Sequence, residues 1–138
     1  MAFETITVAD VTVGQSNIAT PAFQAGEAID AGEAVIYNAT TQKVVLGIND
    51  DVENASVRGV AMSSAALDGY ILVAENGIIN PGFTAVEGTL YYLSSTEGKI
   101  AAEGDATLGS GTVASAIYRG LADGTAQLEI NNTGLTRP

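Results

Sequence analysis

The sequence predicts an all-β fold, a small β-barrel-like domain with an extended N-terminal arm. Turn-forming residues interrupt short apolar runs at the intervals typical of a small barrel or sandwich. The length of 138 residues fits one domain. Hydrophobic residues make up 46% of the chain and aromatic residues only 6%, so we expect a core of Val, Ile, Leu and Ala. We therefore divide the chain into an arm over residues 1–25 and a single β domain over residues 26–138.

The arm has the pattern of extended backbone, because apolar and polar residues alternate along it. The alternation changes parity between Val8 and Val11, which predicts a bulge or bend near Ala9-Asp10. One alternative is that the segment completes a sheet of the domain itself. The apolar residues that we expect to contact a partner are Phe3, Ile6, Val8, Val11, Val13, Ile18 and Phe23.

Four hairpins are predicted after the arm, each from two apolar runs separated by turn residues. The strongest turn signal is Asn76-Gly77, since both central positions of a two-residue turn favour a positive φ. The predicted strand pairs are 35–37 with 43–48, 70–74 with 78–79, 89–93 with 99–101, and 114–121 with 125–130.

Outside the hairpins, the segments are shorter or weaker in pattern. The tandem repeat of residues 25–29 and 31–35 predicts two successive turns that each lead into a strand, with a repeated ligand loop as the alternative. A further strand is predicted over 57–61, and at most about one helical turn over 62–67. Residues 131–138 have the composition of a polar tail.

Composition excludes several classes of function. The chain has no His, Cys or Trp, so Ser-His-Asp and Cys-His nucleophiles, His-ligated zinc or haem, and disulfides are excluded. The net charge of −11 and the scattered basic residues oppose binding to nucleic acid or anionic membranes. No run approaches the roughly 18 apolar residues of a membrane span, and the N-terminus lacks the pattern of a secretory signal. We expect a soluble protein that is made and used without export.

Three motifs are candidates for sites of chemistry. Asn49, Asp50, Asp51 and Glu53 offer oxygen ligands of the kind that Ca²⁺ takes, but without the spacing of an EF-hand loop, so a solvated loop is favoured. Paired carboxylates could hydrolyse a glycoside, yet few aromatic residues are present to form a sugar platform. Gly109-Ser110-Gly111 lacks the Lys-Ser or Lys-Thr of a phosphate loop. We predict no catalytic, cofactor-binding or metal site and no enzyme activity.

The order of strands and turns from Ala31 to about Pro81 is the most informative pattern. It comprises a strand at 33–37, a polar hairpin at 38–42, a strand at 43–46, an acidic loop at 49–54, a strand at 57–62, and a strand at 70–74 that meets a Gly turn and Ile78-Ile79. This order resembles the head decoration proteins of lambda-type tailed phages. The C-terminal part departs from that type. Residues 88–94, 98–100 and 128–130 resemble a repeat-like pattern of phage decoration, head-fibre and tail-fibre modules.

The resemblance implies a structural role. It implies a β-tulip or barrel-like domain that binds the outer surface of the capsid as a homotrimer and stabilises the head as a cement protein. It also implies that the N-terminal arm contacts the major capsid protein. The expected location is the virion, after synthesis in the host cytoplasm, with no nucleic-acid, membrane or cofactor partner. The alternative is a head-fibre, collar or tail-fibre module that binds a receptor or carbohydrate.

Overall fold

The computed structural model describes residues 3–13, 21–105 and 108–138, and these residues form strands, turns and one short 3₁₀ turn at Val8–Asp10. The predicted all-β fold is confirmed. The strands in chain order are β1 (Val11–Val13), β2 (Ala22–Gln24), β3 (Ala34–Asn38), β4 (Lys43–Leu46), β5 (Val57–Ala61), β6 (Tyr70–Ala74), β7 (Gly77–Pro81), β8 (Leu90–Leu93), β9 (Ile100–Ala102), β10 (Val113–Gly120) and β11 (Ala126–Thr136).

Two antiparallel sheets make up the architecture. One has six strands in the order β1-β7-β11-β10-β8-β9, and the other has five in the order β2-β6-β5-β3-β4. The five-stranded sheet curls into a half-barrel, because Ala25 at the end of β2 forms a parallel bridge with Val44 on β4. The Gly26 N–H donates to the Val44 carbonyl at 2.7 Å and closes the curl.

The core has two parts that match this architecture. One cluster fills the space between the sheets and contains the two largest fully buried side chains, Tyr91 and Tyr118. The other lies inside the curled sheet. Its members are the small or branched residues Ala25, Ile29, Val35, Val44, Ala61, Ile71 and Val73. The curled sheet therefore encloses its own apolar interior, in which the buried side chains are aliphatic and the Phe23 ring packs against them from a partly buried position.

Three of the four predicted hairpins are confirmed: β3 with β4, β8 with β9, and β10 with β11. The hairpin predicted at Asn76-Gly77 is wrong. Gly77 does adopt a positive φ of 91°, but β6 belongs to the five-stranded sheet and β7 to the six-stranded sheet. The turn carries the chain from one layer to the other, so that Ala74 and Ile79 enter the same inter-sheet cluster from opposite sides.

The predicted polar tail is also wrong, because β11 continues to Thr136 and pairs with the first part of β10. Polar side chains hold this half of the strand. The Asn132 amide accepts from the Val57 N–H and donates to the Val57 carbonyl, both at 3.0 Å. The Thr133 hydroxyl donates to the Ala114 carbonyl at 2.6 Å. Asn132 thus pairs with the backbone of β5 as a neighbouring strand would and joins the two sheets.

Residues 62–67, where one helical turn was expected, contain no helix. Ala65 instead forms an isolated antiparallel bridge with Ile29. The two serine hydroxyls just before Ala65 accept backbone hydrogen bonds: Ser63 from the Leu72 N–H and Ser64 from the Ala31 N–H, both at 2.9 Å. The N–H and C=O of Ala65 therefore pair with the backbone of Ile29 and not within a local helical turn.

Candidate interaction surface at the N-terminal segment

The backbone of the described part of the arm, residues 3–13, is hydrogen-bonded along the six-stranded sheet. The Glu4 N–H donates to the Ile100 carbonyl and the Thr7 N–H donates to the Gly82 carbonyl, both at 2.8 Å. Strand β1 then pairs antiparallel with β7, with Val11 opposite Pro81 and Val13 opposite Ile79. The segment therefore extends one of the domain's own sheets, which is the alternative considered for the arm.

Two glycines determine which face of the segment is buried. A Cβ atom added at Gly32 would lie 2.6 Å from the Ile6 side chain, and one added at Gly82 would lie 2.8 Å from it. Both glycines have positive φ, +94° and +90°. Val11 reaches the same place and is 6% exposed. Any side chain at either glycine would therefore displace the inner face of the segment, besides straining the backbone.

Two other aliphatic side chains of the segment are exposed. Val8 and Val13 are 43% and 44% exposed. Strand β1 is the outermost strand of its sheet, so one of its edges has no neighbouring strand within the described ranges. This edge presents backbone N–H and C=O groups beside the exposed Val13 side chain, and Val8 is exposed in the preceding 3₁₀ turn. An open edge next to apolar side chains is the arrangement that strand addition uses.

The start of the segment combines an aromatic ring with charged groups. Lys99 Nζ lies 6.0 Å from the centre of the Phe3 ring and 3.1 Å from a carboxylate oxygen of Glu33, whose side chain is 9% exposed. Burial raises the pKa of the Glu4 carboxyl, and the negative charge of Asp105 raises it further. The Lys99 ammonium over the Phe3 ring therefore helps to hold this end of the segment, whereas burial and repulsion from Asp105 disfavour the ionised form of Glu4.

The structure separates the residues that the sequence grouped as one contact set. Phe3, Ile6, Val8, Val11 and Val13 lie on the segment described above, whereas Ile18 lies outside the described residues. Phe23 lies on β2 in the other sheet. Its ring packs edge to face with Tyr37 at 6.0 Å and beneath the Arg58 guanidinium at 5.4 Å. A role of these residues in capsid contact stays a prediction.

A second apolar surface was not anticipated from the sequence. Leu67, Tyr70 and Leu72 are 61%, 71% and 43% exposed, on β6 and the turn before it. The sequence of β6 is apolar at every position, so alternation alone does not show which parity faces solvent. The surface borders the salt bridge between Lys43 and Asp68, which neutralises the charge beside it.

The acidic loop considered for calcium is organised by its own side chains. The Asn49 residue is 1% exposed, and its amide donates to the Leu93 carbonyl at 3.1 Å. The carboxylates of Asp50 and Asp51 accept hydrogen bonds from the Asn54 amide. Among the residues that the structure describes, no group of three or more acidic side chains could hold a metal ion.

The surfaces described above are the basis for a functional proposal. No protein-family model matches the chain, and no curated protein matches it. Across the described ranges, no helix is long and apolar enough to cross a membrane. Inference about function therefore depends on the edge strand β1 and the exposed apolar side chains.

Proposed function

We propose that this protein is a non-enzymatic structural protein of a tailed phage, which binds the outer surface of the major capsid protein shell and stabilises the head. The observation that carries the proposal is the edge strand β1, with Val13 exposed at its end and Val8 exposed in the 3₁₀ turn that precedes it. The strand order that resembles lambda-type decoration proteins supports the same role.

Strand addition is the mode of binding that this geometry favours. A strand of the capsid protein could pair with the open edge of β1 through main-chain hydrogen bonds, while Val8 and Val13 pack against its side chains. The inner face of the segment is already fixed by Ile6 and Val11. Because the edge is ordered before it meets a partner, binding does not require the entropy cost of about 1–2 kcal/mol per residue for ordering it.

The exposed surface of Leu67, Tyr70 and Leu72 suits contact between copies of the chain in the proposed homotrimer. A net charge of −11 per chain makes copies repel one another over most of the surface. The Lys43–Asp68 pair removes that repulsion locally, next to the apolar side chains. Copies would then associate through this surface once the capsid concentrates them.

The test compares two double variants that change charge equally. Val8→Asp with Val13→Asp alters the open edge, whereas Val52→Asp with Val86→Asp alters two valines that are also exposed, at 51% and 62%, but lie elsewhere. Undecorated heads of the phage that encodes the chain are incubated with each protein, and bound copies are counted. We expect the edge variant to bind at least about tenfold more weakly than wild type and the control to bind within about twofold. Equal binding of the two variants would refute the strand-addition mode.

Electron microscopy of the particle separates decoration from the alternative of a fibre or collar module. Decoration predicts regular knobs over the whole head at three-fold positions. A fibre or collar module predicts a few copies at a vertex or at the tail. Two-fold dimers on the head surface would contradict the proposed homotrimer.

A further inference from the structure

Asn76 lies in the two-residue connection that carries the chain from β6 to β7, and therefore from one sheet to the other. Its side chain is exposed and forms no hydrogen bond within the described part of the chain. The Glu75 carboxylate beside it is engaged with Arg58 at 3.0 Å. Gly77 follows directly, with a φ of 91°. An unbonded asparagine amide therefore precedes a residue that has no side chain.

An asparagine followed by glycine can be modified without an enzyme. The backbone nitrogen of the glycine, once it has lost its proton, attacks Cγ of the asparagine side chain and closes a five-membered ring. The new bond joins that nitrogen to Cγ, while the bond from Cγ to the side-chain nitrogen breaks and this nitrogen leaves as ammonia. Water then opens the ring at either carbonyl, which gives aspartate or isoaspartate. Glycine favours ring closure because it has no Cβ to obstruct the approach and adopts many backbone angles.

The other asparagines that the structure describes lack this combination of exposure, an unbonded amide and a following glycine. Asn38 and Asn54 hydrogen-bond within their own loops, Asn132 pairs with the backbone of Val57, Asn49 is 1% exposed, and Asn80 precedes Pro81, which has no backbone N–H to become the nucleophile. Asn131 is exposed and, among the described residues, has no side-chain hydrogen bond, but it precedes Asn132 within β11. Asn131 is therefore the matched internal control.

We propose that Asn76 deamidates spontaneously in the folded protein and converts the connection between the two sheets into a mixture of aspartate and isoaspartate forms. Gly77 pairs with Leu128 at the end of the ladder between β7 and β11. Local opening at the end of a ladder costs little free energy, so the Gly77 nitrogen can reach the Asn76 side chain while the domain stays folded. The reaction requires water and no partner, so it is tested independently of capsid binding.

The two products should affect the fold differently. Aspartate adds one negative charge at an exposed position and leaves the main chain unchanged. Isoaspartate routes the main chain through the side-chain carbons and lengthens the connection by one methylene group. Ala74 and Ile79 are both 0% exposed and enter the inter-sheet cluster on either side of this short connection. The isoaspartate form should therefore have the lower free energy of unfolding, because the longer connection displaces residues that are packed on both sides of it.

Peptide mapping of the purified full chain tests the reaction. The protein is incubated at mildly alkaline pH, where more of the backbone amide is deprotonated, and the peptides that contain residues 76 and 131 are quantified by mass spectrometry. We expect conversion of amide to acid at least about tenfold faster at Asn76 than at Asn131, which corresponds to a barrier lower by about 1.4 kcal/mol. Fragmentation that distinguishes the two products should find both of them at position 76.

Three results of this mapping would overturn the proposal. Conversion at Asn76 that is no faster than at Asn131 would show that the following glycine has no effect. Conversion that occurs only after the chain is unfolded in urea would show that the folded connection prevents ring closure. Aspartate without isoaspartate would show direct hydrolysis of the side-chain amide and not attack by Gly77.

Two matched substitutions locate the reaction in the intact protein. Asn76→Gln keeps the amide but requires a larger ring, so it should abolish the acidic species that accumulates on ion exchange. Asn131→Gln should leave that species unchanged. Both side chains are exposed and unbonded within the described ranges, so both variants should keep the wild-type urea midpoint. Persistence of the acidic species in Asn76→Gln would place the modification elsewhere and contradict the assignment.

The isoaspartate form, separated from the incubated protein, tests the effect on the fold. Its reference is the freshly purified Asn76→Asp variant, which has the same charge and an unmodified main chain. We expect a lower urea midpoint for the isoaspartate form, with Asn76→Asp close to wild type. Equal midpoints of the isoaspartate form and Asn76→Asp would refute the claim that packing on both sides constrains the connection.

Discussion

Two buried tyrosines provide a test of the core in which the same chemical change has opposite effects. Tyr118 and Tyr91 are 0% and 1% exposed, and their ring centres are 5.5 Å apart. The Tyr91 hydroxyl oxygen accepts the Val86 N–H at 2.9 Å. The Tyr118 hydroxyl is buried and has no hydrogen-bond partner within the described residues. Each Tyr→Phe substitution removes one oxygen from nearly the same environment.

The two Tyr→Phe substitutions should change the free energy of unfolding in opposite directions. Burial of a hydroxyl without a partner costs about 1–3 kcal/mol on the scale of protein mutations, so Tyr118→Phe should stabilise the domain by about 1–2 kcal/mol. Tyr91→Phe leaves the Val86 N–H without its acceptor and should destabilise it by about 1–2 kcal/mol. The variants should therefore differ by about 2–4 kcal/mol, a large part of the roughly 5–15 kcal/mol typical of a domain.

Urea unfolding at neutral pH measures both changes, and an unchanged slope with denaturant would show that each variant keeps the same cooperative unit. Wild type and Tyr91→Phe serve as the matched references for Tyr118→Phe. If Tyr118→Phe destabilises the domain as much as Tyr91→Phe does, the Tyr118 hydroxyl has a hydrogen-bond partner, and the reasoning fails.

Three further predictions concern stability. Asn132→Ala leaves the N–H and C=O of Val57 unpaired and should cost about 1–3 kcal/mol in urea unfolding, whereas Asn131→Ala on the same strand should cost less than about 0.5 kcal/mol. Gly120→Ala places a methyl group well inside contact distance of the Val86 carbonyl oxygen and should cost more than about 2 kcal/mol, while Gly47→Ala, with no contact nearer than 3.3 Å, should cost less; equal losses would contradict the clash. Burial raises the pKa of Tyr118 well above its ordinary value near 10.0, so the folded state favours the protonated phenol. The free energy of unfolding is therefore unaffected by this group below that pH and falls as pH rises further. Tyr118→Phe should weaken this alkaline loss, as measured by unfolding between about pH 8 and pH 12, and an identical pH profile would contradict the assignment to Tyr118.

The sequence predicted the parts of the fold that depend on local interactions. A turn and its two flanking apolar runs specify β3 with β4, β8 with β9, and β10 with β11, because all the information lies within a few neighbouring residues. The turn at Asn76-Gly77 carries the same local signal. Whether a chain folds back or crosses to another layer depends on the strands that compete for pairing, and those are distant in sequence.

The course of β11 shows the same limit for polar residues. Its second half has no apolar pattern, yet it pairs with β10 as a strand, and the Asn132 side chain ties it to the backbone of Val57, 75 residues earlier. A side-chain amide that replaces a strand neighbour leaves no periodicity in the sequence. The two sheet-spanning hydrogen bonds of Asn132 could therefore be found only from the structure.

The N-terminal segment combines buried and exposed side chains, and this combination decides how its role can be tested. The sequence predicted that these apolar residues lie on an extended segment. It did not show that Ile6 and Val11 face the domain, because that depends on the space that Gly32 and Gly82 leave for their side chains. Full burial of an aliphatic side chain contributes about 1.5–3 kcal/mol, so deletion of residues 1–22 would lower stability as well as remove the edge. Weaker attachment after such a deletion would have two causes. Substitution of Val8 and Val13 changes only exposed side chains, and attachment that falls while the urea midpoint stays constant would assign the effect to the exposed part of the segment.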